Sequence, residues 1–426
     1  MGTRAASIVA VVLVTGCGGN AEYRCDSPGR SCGAGTCELT TGFCSVPDSN
    51  CPSGRRYDGT LAGDLSGQCV GGGTPPSDGG VDVGIDTPPP DAPLFCYGTA
   101  PISICFAAAP TGPQTYSGTI DTGSSPMCAT NVVSGGTGLC VLAGSTITFG
   151  GRLRATGTKP LVLLATDSIN VNATIDVGSH RGMTPDSGAG SDPAVCSTMA
   201  GTAPTVGGGG AGGSFVAPGG AGGVSALNNS TGGTPGTVVS LTNLALRGGC
   251  PGQDGDGLGK GTGGHAGGAV LMIASTIMIQ GDILAGGEGG DAASMNSSGG
   301  GGGGAGGTIW LDAPTVTNPL NNLVIANGGA GGEGSGMTNT GQPGQDGTTL
   351  GAATGGHGSS PNGGDGGDGS STTAAGAGNA GAPGSVFMSA PGGGGAGGGG
   401  AGIVKARVGA GVNLGTKVSP AITPQQ

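Results

Sequence analysis

The chain has little charge and few aromatic rings. Of its 426 residues, 9% are charged and 3% are aromatic, and its formal net charge is −11. An acidic chain is a poor partner for nucleic acid, because Lys and Arg supply most of the affinity for phosphates. Long windows with the 3.6-residue apolar period of an amphipathic helix are also missing. We therefore expect neither a helical fold nor a nucleic-acid partner.

Glycine, in contrast, is abundant. It accounts for 105 residues, many of them in GG-x-GG tracts at 207–213, 219–223, 299–307, 328–334, 363–369 and 392–402. Disordered chains usually combine few apolar residues with high charge, whereas here strand-length aliphatic runs separate the tracts. The composition therefore disfavours a glycine-rich coil throughout.

A short apolar phrase recurs between the tracts. PLVLLA at 160–165 returns at 269–274, 308–313 and 385–390, with a weaker echo at 402–407. Around the phrase, residues 145–177, 269–285 and 308–326 alternate apolar and polar positions, which is typical of half-buried strands. The breaks between strands are too short for crossover helices. We predict a mainly β chain, with a parallel β-helix or solenoid-like domain at 95–426.

The sequence leaves two alternatives open for the glycine tracts. They are either flexible excursions or ordered polyglycine II segments, which have three residues per turn and no internal hydrogen bonds, as in polyproline II. Ordering a glycine costs more backbone entropy than ordering any other residue. Ordered tracts would therefore need the β core as a template.

The N-terminus has the pattern of an export signal. Arg4 precedes an apolar stretch at 5–14, which is too short to span a bilayer. The sequence VTGC, which ends at Cys17, resembles the lipobox of bacterial lipoproteins. That resemblance implies a signal peptide at 1–16, an acylated Cys17 that begins a tether at 17–24, and transfer to the outer membrane, because Gly18 and not Asp follows. The alternative is a plain secretory signal with an incidental cysteine.

The cysteine count agrees with one acylated residue. Without Cys17, twelve of the thirteen cysteines remain, an even number that suits pairing in an oxidising compartment. We expect disulfides, of open connectivity, among Cys25, Cys32, Cys37, Cys44, Cys51, Cys69, Cys96, Cys105, Cys128, Cys140, Cys196 and Cys250.

The first six of these cysteines define a small module. Residues 25–70 are turn-rich and have little room for an apolar core, so three disulfides are expected to stabilise them. Zinc at Cys32 and Cys37 is the alternative, although no second ligand pair accompanies them. A linker rich in Pro, Asp and Gly follows at 71–94 and favours an extended conformation.

The large domain resembles the glycine-rich, PGRS-type repeat proteins and lipoproteins of bacterial surfaces. The resemblance depends on the GG-x-GG composition and on the phrase TIMIQGDILAGGEGG at 276–290. It implies a non-enzymatic, lipid-anchored outer-membrane or cell-surface protein with a structural, adhesive or cell-contact role. The implied partners are the membrane and either surface glycans or other envelope components, with no cofactor and no metal.

Three motifs could carry chemistry. The loop Asp121-Thr122-Gly123 resembles that of pepsin-type aspartic proteases, but the second loop that such enzymes need has only a weak candidate at 186–188. The acidic glycine turns 286–291 and 363–369 approach a calcium-binding repeat. The three histidines, His180, His265 and His357, are expected to be surface loop residues.

The alternative function is a carbohydrate-binding or carbohydrate-cleaving β-helix protein. It requires carboxylates that line one strand face, for which Asp167, Asp176, Asp282 and Asp312 are the candidates, and it would use Trp310 as a sugar platform. If the carboxylates diverge in space, the cleaving enzyme is ruled out.

Overall fold

The computed structural model describes residues 25, 32, 35–38, 41–58, 65, 68–71, 94–129, 131–136, 138–184, 187–240, 245–371, 376–407 and 411–425. The predicted signal peptide, Cys17, the tether and linker residues 72–93 lie outside the described residues. The chain divides into two compact units, 1–87 and 88–426. This boundary falls inside the linker that the sequence predicts.

Unit 1 is a small antiparallel sheet held by disulfides. Its strands are β1 (Thr36–Glu38), β2 (Phe43–Pro47) and β3 (Arg55–Tyr57). Its apolar cluster is small, built on Phe43 and Tyr57. The disulfides are Cys25–Cys37, Cys32–Cys44 and Cys51–Cys69.

Unit 2 is almost entirely β. It opens with β4 (Phe95–Tyr97), β5 (Ile104–Phe106) and β7 (Val132–Ser134), which form an antiparallel sheet. One helix, α1 (Cys196–Met199), is described. A large, nearly closed, all-parallel sheet contains β6 (Pro113–Asp121), β8 (Cys140–Thr156), β9 (Leu161–Val171), β10 (Ile175–Asp176), β11 (Ala269–Ile273), β12 (Thr276–Ile279), β13 (Ile283–Leu284), β14 (Thr308–Asp312), β15 (Thr315–Thr317), β16 (Val324–Ile325), β19 (Ile403–Arg407), β20 (Val412–Asn413), β21 (Val418–Ser419) and β22 (Ile422–Gln425).

The parallel sheet winds through three faces, and each successive coil adds one strand to each face. The first face stacks the start of β8, the start of β9, β11, β14, β19 and β22. The second stacks the start of β6, then the middle of β8, the end of β9, β12, β15 and β20. The third stacks the end of β6, the end of β8, β10, β13, β16 and β21. The arrangement is β-helix-like, as the sequence predicts.

Aliphatic side chains form ladders inside the coils. On the first face Leu163, Met272 and Leu311 lie in register, and all three are fully buried. Similar ladders line the other two faces, with Ile169, Ile277 and Val316 on the second and Leu153, Ile175, Ile283 and Val324 on the third. This continuous column removes the apolar surface of every coil from water, which is the main favourable term in folding.

A second apolar layer covers the outside of the first face. Ile104 and Phe106 of the antiparallel sheet pack with Leu164, Leu271 and Trp310, which point away from the column. The first face is therefore buried on both sides, which explains why its strands read as continuous apolar runs.

One of the recurring phrases behaves differently from the sequence prediction. Residues 385–390, predicted to repeat the strand phrase, form an antiparallel hairpin of β17 (Val386–Phe387) and β18 (Ala390–Pro391), and Val386, Phe387 and Met388 are exposed. The weaker echo at 402–407 instead provides β19 of the first face. The prediction for 385–390 was wrong because a short apolar run does not reveal whether a neighbouring coil is in register with it.

The glycine tracts all leave the coils at one corner. Residues 177–268, 285–307 and 326–402 each connect the end of a third-face strand to the start of the next first-face strand. In the preceding coil the same connection consists only of 157–160. The tracts therefore lie side by side over one edge of the parallel sheet.

Residues 299–307 bond to neighbouring segments with a period of three. The amides of Gly300, Gly303 and Gly306 donate to the carbonyls of Gly394, Gly397 and Gly400 at 3.0–3.1 Å. The remaining amides of 299–307 donate to two other segments, 250–256 and 285–291. The carbonyls of 299–305 accept from three more segments, 210–213, 261–267 and 329–332. Six neighbours thus satisfy the backbone of one central segment.

The same three-residue period appears in the space around each α-carbon. A Cβ at Gly302, Gly303 or Gly304 would lie less than 3.0 Å from the carbonyl oxygen of Ala211, Gly329 or His265, respectively. Each of these carbonyls belongs to a different neighbour, and Gly299, Gly300 and Gly301 meet the same three segments in the same order. Only glycine fits at these positions, since the neighbouring backbones leave no room for a side chain.

Gly303→Ala should therefore destabilise unit 2, because its methyl group would displace the backbone at Gly329. Overpacking of this kind costs about 1–3 kcal/mol. Gly351→Ala is the matched control, because nothing lies within 4 Å of the position that its methyl group would take, and it should change stability by less than about 1 kcal/mol. Urea denaturation measures both variants, and equal stability of the two would contradict the packing described here.

Candidate functional site

The most concentrated group of ionisable side chains surrounds Asp176, at the end of β10. The Asp176 carboxylate is fully buried, and it pairs with Arg152, with Arg154 at 3.2 Å and with His180 Nε2 at 3.0 Å. The Gly178 amide also donates to Asp176 Oδ1 at 3.0 Å. In the parallel pairing of β8 with β10, Arg154 lies directly beside Asp176. Burial of the carboxylate is thus compensated by two guanidinium groups and an imidazole.

The cluster extends to residues far along the chain. His180 Nδ1 lies 3.7 Å from Asp346 Oδ2, which accepts a hydrogen bond from the Arg181 amide at 3.2 Å. The other oxygen of Asp346 accepts from the Gly289 amide at 2.9 Å. The cluster therefore joins the edge of the parallel sheet to all three long glycine-rich connections.

The pKa values of the cluster move in opposite directions. Burial opposes ionisation of Asp176, but the hydrogen bond and charge of His180, together with Arg154 and Arg152, lower its pKa to about 2. Burial likewise opposes protonation of His180, but Asp176 and Asp346 raise its pKa to about 9. Both groups are charged at neutral pH. Acid–base catalysis works best with a pKa near the operating pH, so this geometry fits an ionic clamp better than a catalytic pair.

The four carboxylates of the carbohydrate hypothesis do not share a site. Asp176 belongs to the cluster on the third face, while Asp312, at the end of the first face, binds Arg407 at 2.6 Å and the Thr99 amide at 2.8 Å. Asp282, in the corner before β13, accepts from the Leu323 amide. Asp167 is exposed at the corner after the first face. Asp176 and Asp312 are thus buried and already paired with cations, and the partners of Asp176, Asp282 and Asp312 are all different.

Trp310 is not available as a sugar platform. It is 1% exposed in the layer between the first face and the antiparallel sheet, and the Lys405 ammonium lies 4.1 Å from its ring centroid. The sequence alternation correctly placed Trp310 on one strand face, but it could not show that another segment covers that face.

The Asp-Thr-Gly loop is a turn. Asp121 Oδ1 accepts from the Gly123 amide at 2.9 Å and Oδ2 accepts from the Ser124 hydroxyl at 2.6 Å, and these hydrogen bonds lower the pKa of Asp121, while Thr122 is buried. Asp186, in the second candidate loop, lies outside the described residues. These contacts fully account for the local sequence as the end of β6.

No calcium-like group of carboxylates occurs in the part of the chain that the structure describes. Among the described residues, the one set of three ligand-type side chains close enough to hold an ion is Cys25, Cys32 and Cys37. All three are in disulfides, which removes the thiolates that zinc would need. In the glycine turns, Glu288 and Asp368 accept from the amides of His265 and Gly355.

The expectation that all three histidines are surface loop residues is wrong for His180. Its side chain is 13% exposed and ion-paired. His265 is partly exposed and lies 2.5 Å from Asp192 through Nδ1, and His357 is exposed. Asp176 precedes His180 by four positions, but Asp346 lies 166 positions from His180 and Asp192 lies 73 positions from His265, so sequence spacing could not have identified these two distant partners.

The described cysteines of unit 2 are also paired. The bonds are Cys96–Cys105, Cys128–Cys140 and Cys196–Cys250. A cavity of about 420 Å³ lies beside the last of these, with Pro193, Met199 and Pro251 in its lining. The one ionisable side chain in that lining, Asp192, is already bound to His265 and to the Ala266 amide. The described lining of the cavity therefore offers no free acid or base.

Comparison with protein-family models, with curated proteins and with solved structures finds no match for this chain. Within the described residues, no helix has the length and apolar character needed to cross a bilayer.

The charge cluster makes unit 2 sensitive to pH. Because the folded pKa of His180, about 9, exceeds its usual value of 6.5, its contribution to stability is complete below pH 6.5 and is lost as the pH rises through 9. His180→Gln should therefore lower the unfolding free energy by up to about 3 kcal/mol near pH 6, with a smaller deficit at pH 9.5. The exposed His357→Gln is the control and should have little effect. Urea denaturation between pH 6 and 9.5 measures this, and a pH-independent deficit would contradict it.

Proposed function

We propose that this chain is a lipid-anchored outer-membrane or cell-surface protein with a non-enzymatic structural, adhesive or cell-contact role. In this proposal the parallel β column displays glycine-rich insertions that pack as a bundle of polyglycine II helices. Along the chain, the disulfide module and the linker lie between the anchored Cys17 and this bundle. The observation that carries the proposal is the lateral hydrogen bonding of 299–307 to six neighbours.

The three-residue period supports polyglycine II specifically. Polyproline-II-type segments have three residues per turn and no internal hydrogen bonds. Successive amides therefore rotate around the axis of the segment, and every third amide points to the same neighbour. That rotation is found for residues 299–307, whose nine amides all donate to other segments. A second set follows the same rule, since Gly210 and Gly213 donate to Gly300 and Gly303.

A display role also fits the way polar groups are used. The buried carboxylates Asp176 and Asp312 bind arginines of neighbouring strands and do not face a common cavity. The described cysteines form intramolecular disulfides, which suit an exported protein. These features stabilise a rigid support and do not assemble a reaction centre.

The carbohydrate hypothesis gains no specific observation. A glycan-cleaving β-helix needs two carboxylates that converge on one substrate bond. The four candidates here lie on different faces and corners, and Asp176, Asp282 and Asp312 each have a different partner. The display role is therefore the function that the geometry supports best.

The lipid anchor can be tested directly in cells. The wild-type chain, labelled with a palmitate analogue in a bacterial host that processes lipoproteins, should incorporate label and fractionate with membranes. Cys17→Ala should lose the label and be released, because the acylated thiol is gone. Gly18→Ala keeps the cysteine and is the control. Equal labelling of wild type and Cys17→Ala would remove the anchor from the proposal.

A further inference from the structure

The glycine-rich segments end in a set of turns that lie together, away from the parallel sheet. The stretches 285–293, 299–307, 326–334 and 392–402 each run for about ten residues between the parallel sheet and a turn, or roughly 30 Å at about 3.1 Å per residue. We call the far end the tip and define it as Val206 with the turns 224–230, 256–260, 294–298, 335–341 and 384–391.

Hydrogen bonds hold the turns of the tip side by side. The Ser294 amide donates to the Gly259 carbonyl at 2.7 Å, and the Asn296 amide to the Met337 carbonyl at 3.1 Å. The hydroxyl groups of Ser297 and Ser225 donate to the carbonyls of Pro391 at 2.7 Å and Val206 at 2.6 Å. Five turns from distant parts of the chain therefore form one continuous surface.

This surface exposes an unusual set of side chains. Leu258 is 95% exposed and Met388 is 86% exposed, so almost nothing of the protein packs against them. The full set of large apolar side chains exposed at the tip is Val206, Val224, Leu258, Met295, Met337, Val386, Phe387 and Met388. Exposed apolar patches of this kind mark interaction or membrane sites.

Charge is nearly missing from the tip, although the chain has 25 acidic residues. Within the turns the charged side chains are Asp256 and Lys260. Asp256 accepts from the Gly207 amide at 2.9 Å, and Lys260 lies 2.9 Å from Asp254. The rest of the tip is made of glycine, small polar and apolar residues. A surface without unpaired charge can enter an apolar phase at low desolvation cost.

The backbone holds these side chains outward. Met388 and Ser389 have φ values of +49° and +68°, and Asn296 and Ser297 have φ values of +61° and +57°. Non-glycine residues adopt this region only where the surroundings fix it. The backbone of these turns is therefore already fixed, so little backbone entropy remains to be lost on insertion.

We propose that the tip inserts into the interfacial region of a lipid bilayer with neutral head groups. The shape and charge of the tip indicate a bilayer as its partner. The apolar side chains are separate and project from turns that lie at one height above the sheet, and this arrangement matches a planar apolar phase better than a concave protein pocket. Serine, threonine and asparagine between them suit the head-group layer, and the acidic body of the chain disfavours anionic lipid. The inference rests on the proposed cell-contact role and deepens it, because the tip would contact a second membrane.

Vesicle flotation tests the proposal. The full chain carrying Cys17→Ala, so that no acyl group contributes, is mixed with phosphatidylcholine vesicles. It should float with them, and binding should persist in about 1 M salt, where charge interactions are screened. Adding Leu258→Asp and Met388→Asp should weaken binding at least ten-fold. The matched control, Leu320→Asp with Val238→Asp, changes two exposed apolar side chains outside the tip and should keep binding within two-fold.

Three results would overturn the inference. The first is absence of flotation by the Cys17→Ala chain, and the second is an equal loss in the tip and control variants with unchanged unfolding temperatures. The third is self-association that the tip variant abolishes while vesicles are not bound, which would make the tip an interface with a second copy. None of these depends on labelling of Cys17, so failure here is distinct from failure of the lipid anchor.

Discussion

Backbone hydrogen bonds between neighbouring glycine segments are the constraint on which unit 2 depends. The amides of 299–307 all donate to other segments, so each buried peptide group is satisfied only when its neighbours are in place. A buried amide without a partner costs about as much as a lost hydrogen bond. The arrangement is therefore cooperative: removing one segment would leave several others unsatisfied. Glycine is required at positions such as Gly302, Gly303 and Gly304, where a neighbouring carbonyl lies closer than a Cβ allows.

The aliphatic column explains how such a glycine-rich assembly can be ordered at all. Each glycine loses much backbone entropy on folding, and the bundle has few large side chains to offset that loss. The parallel strands fix both ends of every long connection at one corner of the sheet. This lowers the entropy cost of bringing the lateral partners together. The ion cluster at Asp176 adds a second attachment, since it bonds to the connections after β10, β13 and β16. Strands, bundle and cluster thus depend on one another.

Part of this fold can be predicted from sequence, and the reason is local. The phrases at 269–274 and 308–313 combine β-branched and aliphatic residues with short polar breaks, and their alternation identifies both strand and buried face. The parity of the cysteines likewise predicts that they pair, although not which partners they take. The structure joins those of unit 2 in order along the chain, with the longest loop between Cys196 and Cys250.

What the sequence could not provide depends on contacts between distant residues. The phrase at 385–390 has the pattern of a strand of the column, yet it forms a hairpin at the tip. In contrast, Lys405 and Arg407 make the pattern at 403–407 less apolar, although this segment is a strand of the first face. Those two cations point outward and are accommodated by Trp310 and Asp312, which lie on the adjacent coil. For His180, Asp176 lies only four residues before it, but the second carboxylate, Asp346, is 166 positions away and is brought to it only by the fold. Such pairings are set by the fold and leave no spacing to detect.

Amide hydrogen exchange measures the central claim most directly. If the segments pack laterally as described, the amides of Gly300, Gly303 and Gly306 should exchange as slowly as those of the first-face strands, because both open only when unit 2 unfolds. Exchange of these glycine amides at the rate of an unstructured glycine peptide, with the strands still protected, would show that the segments are free loops and would contradict the account.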